Sequence, residues 1–329
     1  MPPLKAAVIG VGYLGRFHAA KYAALPDVVL VGVADTRAAQ AEAVARDLGC
    51  RAFGDHRELI GRVDAVSIVV PTPAHFTVSR DFLENGVDVL IEKPITTRLD
   101  EADALIRLAE ARGRLIQVGH LERFNPALQA ARPHIGRVRF IDSHRLSPYQ
   151  PRGTDVSVVL DLMIHDIDLI LSVAAGPLEE IRAAGMALVS AHTDIASARL
   201  TFASGCVANL TASRLAARSD RKMRLFQSDG CLTVDFGRHQ TTLLRPAPRD
   251  PAPADTEGMA GLRIEKLDPG PGDALAAEIR AFVTAVRRRA EPVVSGRQGR
   301  AALAVALEIM DAIQRGTETF NTHSFPEPS

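Results

Sequence analysis

Lys93 follows a short apolar segment of the sequence and stands between Glu92 and Pro94. The segment, residues 87–91, reads Val-Asp-Val-Leu-Ile, which is typical of a buried strand in a parallel sheet. A lysine at the carboxyl end of such a strand points into the crevice where open α/β sheets bind their ligands. Its ammonium group can donate a hydrogen bond to a substrate oxygen and stabilise negative charge as it develops. We therefore expect Lys93 to take part in catalysis.

Three glycines near the start of the chain have the spacing of a dinucleotide-binding turn. Gly10, Gly12 and Gly15 follow the apolar residues 6–9 and precede a segment with apolar residues at helical spacing. In such a turn the first glycine allows the tight bend, the second lets the backbone approach a pyrophosphate, and the third lets helix and strand pack closely. The phosphates then meet the free amides and the positive end of the helix. An ordinary glycine-rich turn between strand and helix is the alternative interpretation.

An acid follows the second apolar segment of the chain and predicts which cofactor is preferred. Residues 28–34 form that segment, and Asp35 stands about twenty residues beyond Gly15, where a carboxylate accepts hydrogen bonds from the ribose of NAD. The same carboxylate would repel a 2′-phosphate, so the sequence favours NAD over NADP. Arg37 weakens this preference, because an arginine can pair with the extra phosphate. Asp35 can also cap the helix that begins near Arg37.

A second group of titratable residues lies in the segment 159–171, which has a helical pattern. One apolar stripe is formed by Leu160, Ile164, Ile167 and Leu171. Asp161, His165 and Asp168 fall at i, i+4 and i+7 and share another face. An imidazole flanked by carboxylates is held in one tautomer and made more basic, which suits a general base. A metal site and a histidine that only bridges surface acids are the alternatives.

The elements that must position these residues fall into two halves. Up to residue 120, apolar segments alternate with helical segments near 37–48, 74–85 and 99–112, which predicts a doubly wound parallel sheet. After residue 120 a period of two marks half-exposed antiparallel strands. The residues that show this period are Ala198, Leu200, Phe202, Leu232, Val234 and Phe236. We expect a long loop or flap at 246–272 and two closing helices near 273–289 and 297–316.

Composition excludes several classes of protein. A chain of 329 residues can bury a sizeable core, and its formal net charge of +0 gives no electrostatic case for nucleic acid or an anionic membrane. No apolar run reaches the ~20 residues of a membrane helix, and the start of the chain lacks a signal-peptide pattern. Cys50, Cys206 and Cys231 fit neither a disulfide framework nor a zinc site, which favours a cytoplasmic protein with packed thiols.

Four motifs in this order resemble the Gfo/Idh/MocA oxidoreductases. The motifs are the turn with Gly10, Gly12 and Gly15, Pro71-Thr72-Pro73 with His75, Glu92-Lys93-Pro94, and Asp161-x-x-x-His165. The resemblance implies a Rossmann domain over residues 1–120 and, over 121–329, an α+β domain with an open, mostly antiparallel sheet. We then expect the closing helices to pack back on the first domain, and the open sheet implies a homodimer or homotetramer.

The resemblance also assigns roles to single residues. Lys93, Asp161 and His165 form the catalytic group, with NAD(P) as hydride carrier and a sugar, a cyclitol or a nucleotide sugar as substrate. We expect His165, oriented by Asp161, to take the hydroxyl proton, although Lys93 could be the formal base. The resemblance implies a cis bond between Lys93 and Pro94. The expected cofactor contacts are Gly10, Gly12, Tyr13, Leu14, Gly15, Asp35, Arg37, Pro71, Thr72, His75, Glu92, Lys93 and Pro94.

Two segments resemble a narrower group within the family. Residues 119–126 and 161–168 are similar to those of bacterial UDP-N-acetylglucosamine 3-dehydrogenases, which act in lipid A biosynthesis. Residues 154–157 lack a glycine pair that many family members carry there. A diphosphate-bearing substrate needs cations, and arginines of the second half are candidates. The expected substrate contacts are Lys93, Arg123, Asn125, Arg145, Arg152, His165, Asp168 and Arg214.

Three other functions are compatible with these residues. An inositol or simple sugar dehydrogenase of the same fold would need no arginines at the pocket. A bilin reductase of related architecture would bleach linear tetrapyrroles. A dinucleotide-binding regulator without catalysis would have no need of Lys93, Asp161 and His165 together.

Overall fold

A computed structural model describes residues 2–150, 156–247 and 261–322 of the chain. The chain divides into two compact units. The first unit comprises Met1–Phe124 and Asp273–Leu303, and the second comprises Asn125–Gly272 and Ala304–Ser329. The first unit is therefore not continuous in sequence, because a segment from the end of the chain belongs to it.

The first unit is built on a six-stranded parallel sheet of strand order β3-β2-β1-β4-β5-β6. Helices alternate with the strands, as the sequence pattern predicts. The strands are β1 (Leu4–Ile9), β2 (Val28–Ala34), β3 (Arg51–Phe53), β4 (Ala65–Ile68), β5 (Asp88–Glu92) and β6 (Ile116–Gly119). The helices between them are α1 (Gly15–Ala23), α2 (Ala38–Leu48), α3 (His75–Glu84) and α4 (Leu99–Arg112). The predicted doubly wound sheet is confirmed.

A helix from the end of the chain completes the core of the first unit. Helix α7 (Ala274–Arg288) buries Ile279, Phe282 and Val283 in the cluster that contains Ala19 and Tyr22 of α1. An apolar face at helical spacing drives this packing, since each buried side chain of this size contributes about 1.5–3 kcal/mol.

The second unit is built on an eight-stranded sheet of order β14-β13-β12-β11-β7-β10-β9-β8. Neighbouring strands are antiparallel except for β7 and β10, which run parallel. The strands are β7 (Val138–Leu146), β8 (Leu178–Met186), β9 (Ile195–Phe202), β10 (Val207–Ser213), β11 (Asp220–Gln227), β12 (Gly230–Asp235), β13 (Gln240–Pro246) and β14 (Leu262–Leu267). The helices are α5 (Pro126–Ala131) and α6 (Ile164–Val173), and α8 (Gly296–Thr322) has residues in both units. The six residues that predicted a period of two are all buried.

The prediction of a loop over 246–272 is wrong at its end. Residues 262–267 form strand β14, which pairs with β13 in antiparallel register. The reason is that Leu262 and Ile264 alternate with the charged residues Arg263 and Glu265, as in a strand, although proline and glycine are frequent on both sides. Residues 248–260 lie outside the described residues. Of the helices in the described ranges, none is long and apolar enough to cross a membrane.

Candidate active site

The glycine-rich turn between β1 and α1 has two glycines that the fold itself requires. Gly10 has a φ of +83°, and a Cβ there would lie 2.6 Å from the carbonyl oxygen of Val69. A Cβ at Gly15 would lie 1.8 Å from the carbonyl oxygen of Gly10, so the helix packs directly on the turn. At Gly12 the nearest side-chain atoms to such a Cβ are 3.8 Å away, which leaves room for it. The bare backbone at Gly12 therefore suits a group that approaches from outside the chain.

A cavity of about 720 Å³ opens beside this turn. Five of the predicted cofactor contacts line it, namely Gly10, Gly12, Asp35, Arg37 and Pro71. The cavity lies at the carboxyl ends of the neighbouring strands β1, β2 and β4, where doubly wound sheets bind dinucleotides. Its lining and the bare backbone at Gly12 fit a nucleotide cofactor.

Asp35 at the end of β2 bonds two backbone amides. Its Oδ2 accepts a hydrogen bond from the N–H of Val11 at 2.9 Å, and its Oδ1 accepts one from the N–H of Arg37 at 2.9 Å. Its side chain is 8% exposed, whereas the Arg37 side chain is 70% exposed with its Nε 3.6 Å from Oδ1. Arg37 is the residue just before α2, so the carboxylate secures the start of that helix without capping its first turn. Asp35 thus ties the glycine-rich turn to the start of α2.

His75 is buried and links two carbonyl groups. It begins α3, directly after the short 3₁₀ turn Thr72–Ala74. Its Nδ1 lies 2.9 Å from the carbonyl oxygen of Pro94, and its Nε2 lies 2.9 Å from that of Val70. Burial lowers the pKa of His75, and the hydrogen bonds to the two carbonyls oppose this shift. The imidazole therefore connects the end of β4 to the turn that follows Lys93.

Lys93 directly follows β5 and is half-buried, and its bond to Pro94 is cis. Its backbone N–H donates a hydrogen bond to Oε2 of Glu92 at 3.2 Å. The other oxygen of Glu92 accepts a hydrogen bond from Nε2 of His18 at 3.1 Å. Because these bonds fix the Glu92 carboxylate, they also fix the backbone from which the lysine side chain leaves.

In the second unit, the segment with His165 begins as a π-helix over Val159–Met163 and continues as α6. The prediction of one regular α-helix over 159–171 is therefore wrong for its first five residues. A π-turn is wider than an α-turn, so Asp161 is spaced from His165 differently than in a regular α-helix. Asp161 and His165 are half-buried, and Asp168 is buried. Short π-helical segments occur frequently at functional sites.

A buried ion pair holds this helix on the sheet. Nε and Nη2 of Arg145, on β7, donate to the two carboxylate oxygens of Asp166 at 3.0 and 2.9 Å. Both side chains are 3% exposed, and the guanidinium carbon lies 5.7 Å from the centre of the Phe236 ring. Asp166 follows His165 directly, so this bidentate pair sets where α6 presents the histidine.

The other predicted substrate contacts are also embedded in their units. Arg214 follows β10, is 5% exposed, and donates from Nη2 to the carbonyl oxygen of Val156 at 2.5 Å. Since β10 runs parallel to β7, Arg145 and Arg214 lie at the same edge of the sheet. The side chain of Asn125 accepts from the N–H of Ala127 and caps α5. Arg123 belongs to the first unit and is buried, and Arg152 lies outside the described residues.

Comparison with known proteins decides the family. Residues 4–120 match the Gfo/Idh/MocA model described as an oxidoreductase family with an NAD-binding Rossmann fold, and residues 130–233 match the Gfo/Idh/MocA C-terminal domain. The chain is 42% identical over 312 residues to a UDP-N-acetylglucosamine 3-dehydrogenase from Acidithiobacillus ferrooxidans, a match that covers 94% of this chain and 97% of that one.

The chain belongs to the Gfo/Idh/MocA family. It is accordingly an NAD-binding oxidoreductase, as its motifs predict.

Two further comparisons agree with this assignment. A crystal form of the Acidithiobacillus ferrooxidans enzyme matches with a TM-score of 0.90 and 41% identity, over 96% of this chain and 99% of that one. The scyllo-inositol 2-dehydrogenase (NAD(+)) of Bacillus subtilis is 26% identical over an alignment of 333 residues, which covers 95% of each chain. Inositol dehydrogenases are thus more distant relatives than the nucleotide-sugar enzyme.

Sequence reasoning missed residues that support the motifs of this Gfo/Idh/MocA protein. His18 and Glu278 are fully buried near Glu92, and no motif marked them. For Glu278 a signal existed, because it stands at helical spacing from Phe282 on the apolar face of α7. An acid on such a face is uncommon unless it is paired or neutral. No comparable signal distinguishes Asp166 from the other acids of its helix.

Proposed function

We propose that this chain is an NAD-dependent dehydrogenase that oxidises the 3-hydroxyl of UDP-N-acetylglucosamine to a ketone. The observation that carries the proposal is the 42% identity, over 94% of this chain, to an enzyme of that activity. An inositol dehydrogenase has weaker support, since the inositol enzyme of Bacillus subtilis is 26% identical over a similar share.

We assign the chemistry of the hydroxyl to Lys93, His165 and Asp161. His165, oriented by Asp161, removes the hydroxyl proton as a general base. Lys93 donates a hydrogen bond to the same oxygen and stabilises the charge that develops on it. NAD, when bound, accepts the hydride from the carbon. The half-buried position of all three side chains supports these roles, because a partly desolvated site strengthens both interactions.

The diphosphate of the substrate needs cations, and we assign this role to arginines at one edge of the second sheet. Arg145 is the second-last residue of β7, and Arg214 directly follows β10, which runs parallel to β7. The two residues are 3% and 5% exposed. The carboxylate of Asp166 fixes the guanidinium of Arg145, which lowers the entropy that phosphate binding would cost. Arg123, Asn125, Asp168 and Arg152 stay candidate contacts.

The experiment is a substrate panel with purified protein. NADH formation is followed with UDP-N-acetylglucosamine, UDP-N-acetylgalactosamine, UDP-glucose, free N-acetylglucosamine and myo-inositol. We expect kcat/KM for UDP-N-acetylglucosamine to exceed that for the free sugar by at least ~10²-fold, since the free sugar lacks the diphosphate that the arginines would bind. Preference for myo-inositol or for a free sugar would refute the assignment of a nucleotide sugar. NADH formation with none of the five would refute the substrate assignment as a whole.

A further inference from the structure

Three titratable side chains meet in the first unit beside the residue that precedes Lys93. His18 comes from α1, Glu92 ends β5, and Glu278 comes from α7. One nitrogen or oxygen atom of each side chain lies within 4.8 Å of those of the other two. His18 and Glu278 are fully buried, and the side chain of Glu92 is 12% exposed. We call these three residues the buried acid cluster.

Glu92 is the ionised member of the buried acid cluster. Its two oxygens accept hydrogen bonds from Nε2 of His18 and from the N–H of Lys93. Burial works to raise the pKa of Glu92, but the hydrogen bond from His18 and the charges of His18 and Lys93 outweigh it, so the pKa is lowered. The carboxylate also lies against Gly119 of the paired strand, where a Cβ would come within 2.9 Å of Oε1.

Glu278 differs from Glu92 in its surroundings. Neither of its carboxyl oxygens has a hydrogen-bond partner among the described residues. Burial, and then the nearby charge of Glu92, raise the pKa of Glu278 well above its usual range. Two carboxylates this close in a dry environment do not both ionise near neutral pH, because each charge raises the cost of the other. The buried acid cluster therefore holds a proton on Glu278.

No cationic side chain in the described part of the chain donates a hydrogen bond to Glu278. On α1, His18 donates to Glu92, and Tyr22 is hydrogen-bonded to Ser67 at 2.9 Å. Burial raises the pKa of Tyr22, so its hydroxyl is neutral. Lys21 of α1 pairs instead with Asp273 at the start of α7, at 2.6 Å. Helix α7 also packs on the turn Leu121–Phe124, whose charged residues, Glu122 and Arg123, have opposite signs.

We propose that Glu278 is a positioning residue for Lys93. Glu278 acts as a neutral acid, so that Glu92 carries the one carboxylate charge of the buried acid cluster. That charge lies on the carboxylate that accepts the hydrogen bond from the backbone N–H of Lys93, and it thereby fixes where the lysine side chain leaves the strand. A second charge on Glu278 would repel the Glu92 carboxylate and disturb the backbone that it holds. The inference rests on the proposed function for the role of Lys93, but its first test needs no substrate.

The first test is thermal denaturation of the full chain against pH, for the wild type and for Glu278→Gln. Because the pKa of Glu278 is raised in the folded state, the wild type takes up a proton when it folds. Its stability then falls as pH rises above ~4.3, the pKa of an unfolded glutamate, until the folded pKa is passed. The variant takes up no such proton. The Tm of the variant minus that of the wild type should therefore increase by about 3 °C for each pH unit between these two pKa values.

Two results, one from this test and one from metal removal, would overturn the inference. A Tm difference that does not change with pH would mean that Glu278 takes up no proton on folding. A histidine with two carboxylates can also bind a divalent cation, which would require Glu278 to be ionised. In that case EDTA would lower the Tm of the wild type, zinc or manganese would restore it, and Glu278→Gln would abolish both effects.

The second test measures the effect on catalysis, with kcat and the Kd for NADH determined separately. Glu278→Leu places an apolar side chain against the Glu92 carboxylate and disfavours its charge, so kcat should fall about tenfold while the Kd stays within about twofold. Glu278→Gln supplies a neutral polar group and should restore most of kcat. The matched control is Asp273→Asn, which removes the ion pair of Lys21 with Asp273 between α1 and α7 and retains a residue that caps α7.

The outcomes separate this inference from the proposed function. Wild-type kcat in Glu278→Leu, or an equal loss in Glu278→Gln, would overturn the positioning role. If the wild type turned over no nucleotide sugar, the proposed function would fail while the pH dependence of Tm still decided the state of Glu278.

Discussion

Asp35 already bonds two amides of the chain, so a ribose hydroxyl bound there would share its carboxylate with the N–H groups of Val11 and Arg37. We expect Asp35→Ser to lower kcat/KM for NAD by about tenfold or more and to raise that for NADP, since the repulsion of a 2′-phosphate is removed. The measurement is the ratio of kcat/KM for the two cofactors. Arg37→Ala is the control, and it should make NADP a still poorer cofactor. A wild-type preference for NADP would show that Arg37 governs the cavity instead.

Lys93 and His165 carry the proposed proton chemistry, and their side chains are both half-buried. Lys93→Met and His165→Ala should each lower kcat by ~10²-fold or more, because each removes a group that acts in the transition state. The Kd for NAD, measured by calorimetry, should stay near the wild-type value. Near-normal turnover of either variant on the true substrate would contradict the role of that residue.

At the scale of secondary-structure elements, the Arg145–Asp166 pair anchors α6 on β7 through two hydrogen bonds. Arg145→Met should destabilise the chain by about 3–5 kcal/mol, because it leaves the Asp166 carboxylate buried without its cation. The free energy of unfolding is measured by urea denaturation. The double variant Arg145→Met with Asp166→Leu should recover much of the loss, since no buried charge is left. A single variant as stable as the double variant would show that the pair contributes nothing beyond packing.

Elements with a regular hydrophobic period could be predicted from the sequence, and elements fixed by distant contacts could not. Helix α4 begins and ends where the pattern places it, at Leu99 and Arg112. The π-helix Val159–Met163 has no period of its own and depends on the packing around it. Strand β14 could not be predicted, because the residues around it are rich in proline and glycine, which predict turns where they cluster.

The candidate site divides in the same way. The glycine turn, Asp35, Lys93 and the acid–histidine motif could be found, because their spacing along the chain reflects local geometry. Glu278 could not be linked to Glu92, since 186 positions separate them and only the return of α7 to the first unit brings them together. When the partner of a buried acid comes from a distant segment, the sequence shows at most an acidic residue within the apolar stripe of a helix.

At the scale of the whole molecule, the second sheet has one buried face and one partly exposed face, on which apolar side chains such as Phe140 and Phe226 stand beside polar ones. A single row of polar side chains crosses all eight strands in register. From β8 to β14 by way of β7, the row consists of Arg182, Arg199, Asn209, Asp142, Arg224, Thr233, Thr242 and Lys266. Two neighbouring pairs in the row are hydrogen-bonded: Arg224 donates to Asp142 at 2.6 Å, and Arg199 donates to Asn209 at 3.1 Å.

This row of polar side chains leads to a prediction about assembly, which rests on the family resemblance. We expect the chain to form a homodimer or homotetramer through the open sheet, and light scattering after gel filtration gives the mass. Arg199 is exposed on β9, the second strand of the row. Arg199→Glu replaces its positive charge by a negative one at the expected interface and should shift the mass toward the monomer. Arg62→Glu changes an exposed arginine of the first unit by the same charge and should leave the mass unchanged. A wild-type chain that is monomeric at all concentrations would contradict the prediction, and an oligomer that Arg199→Glu does not weaken would locate the interface elsewhere.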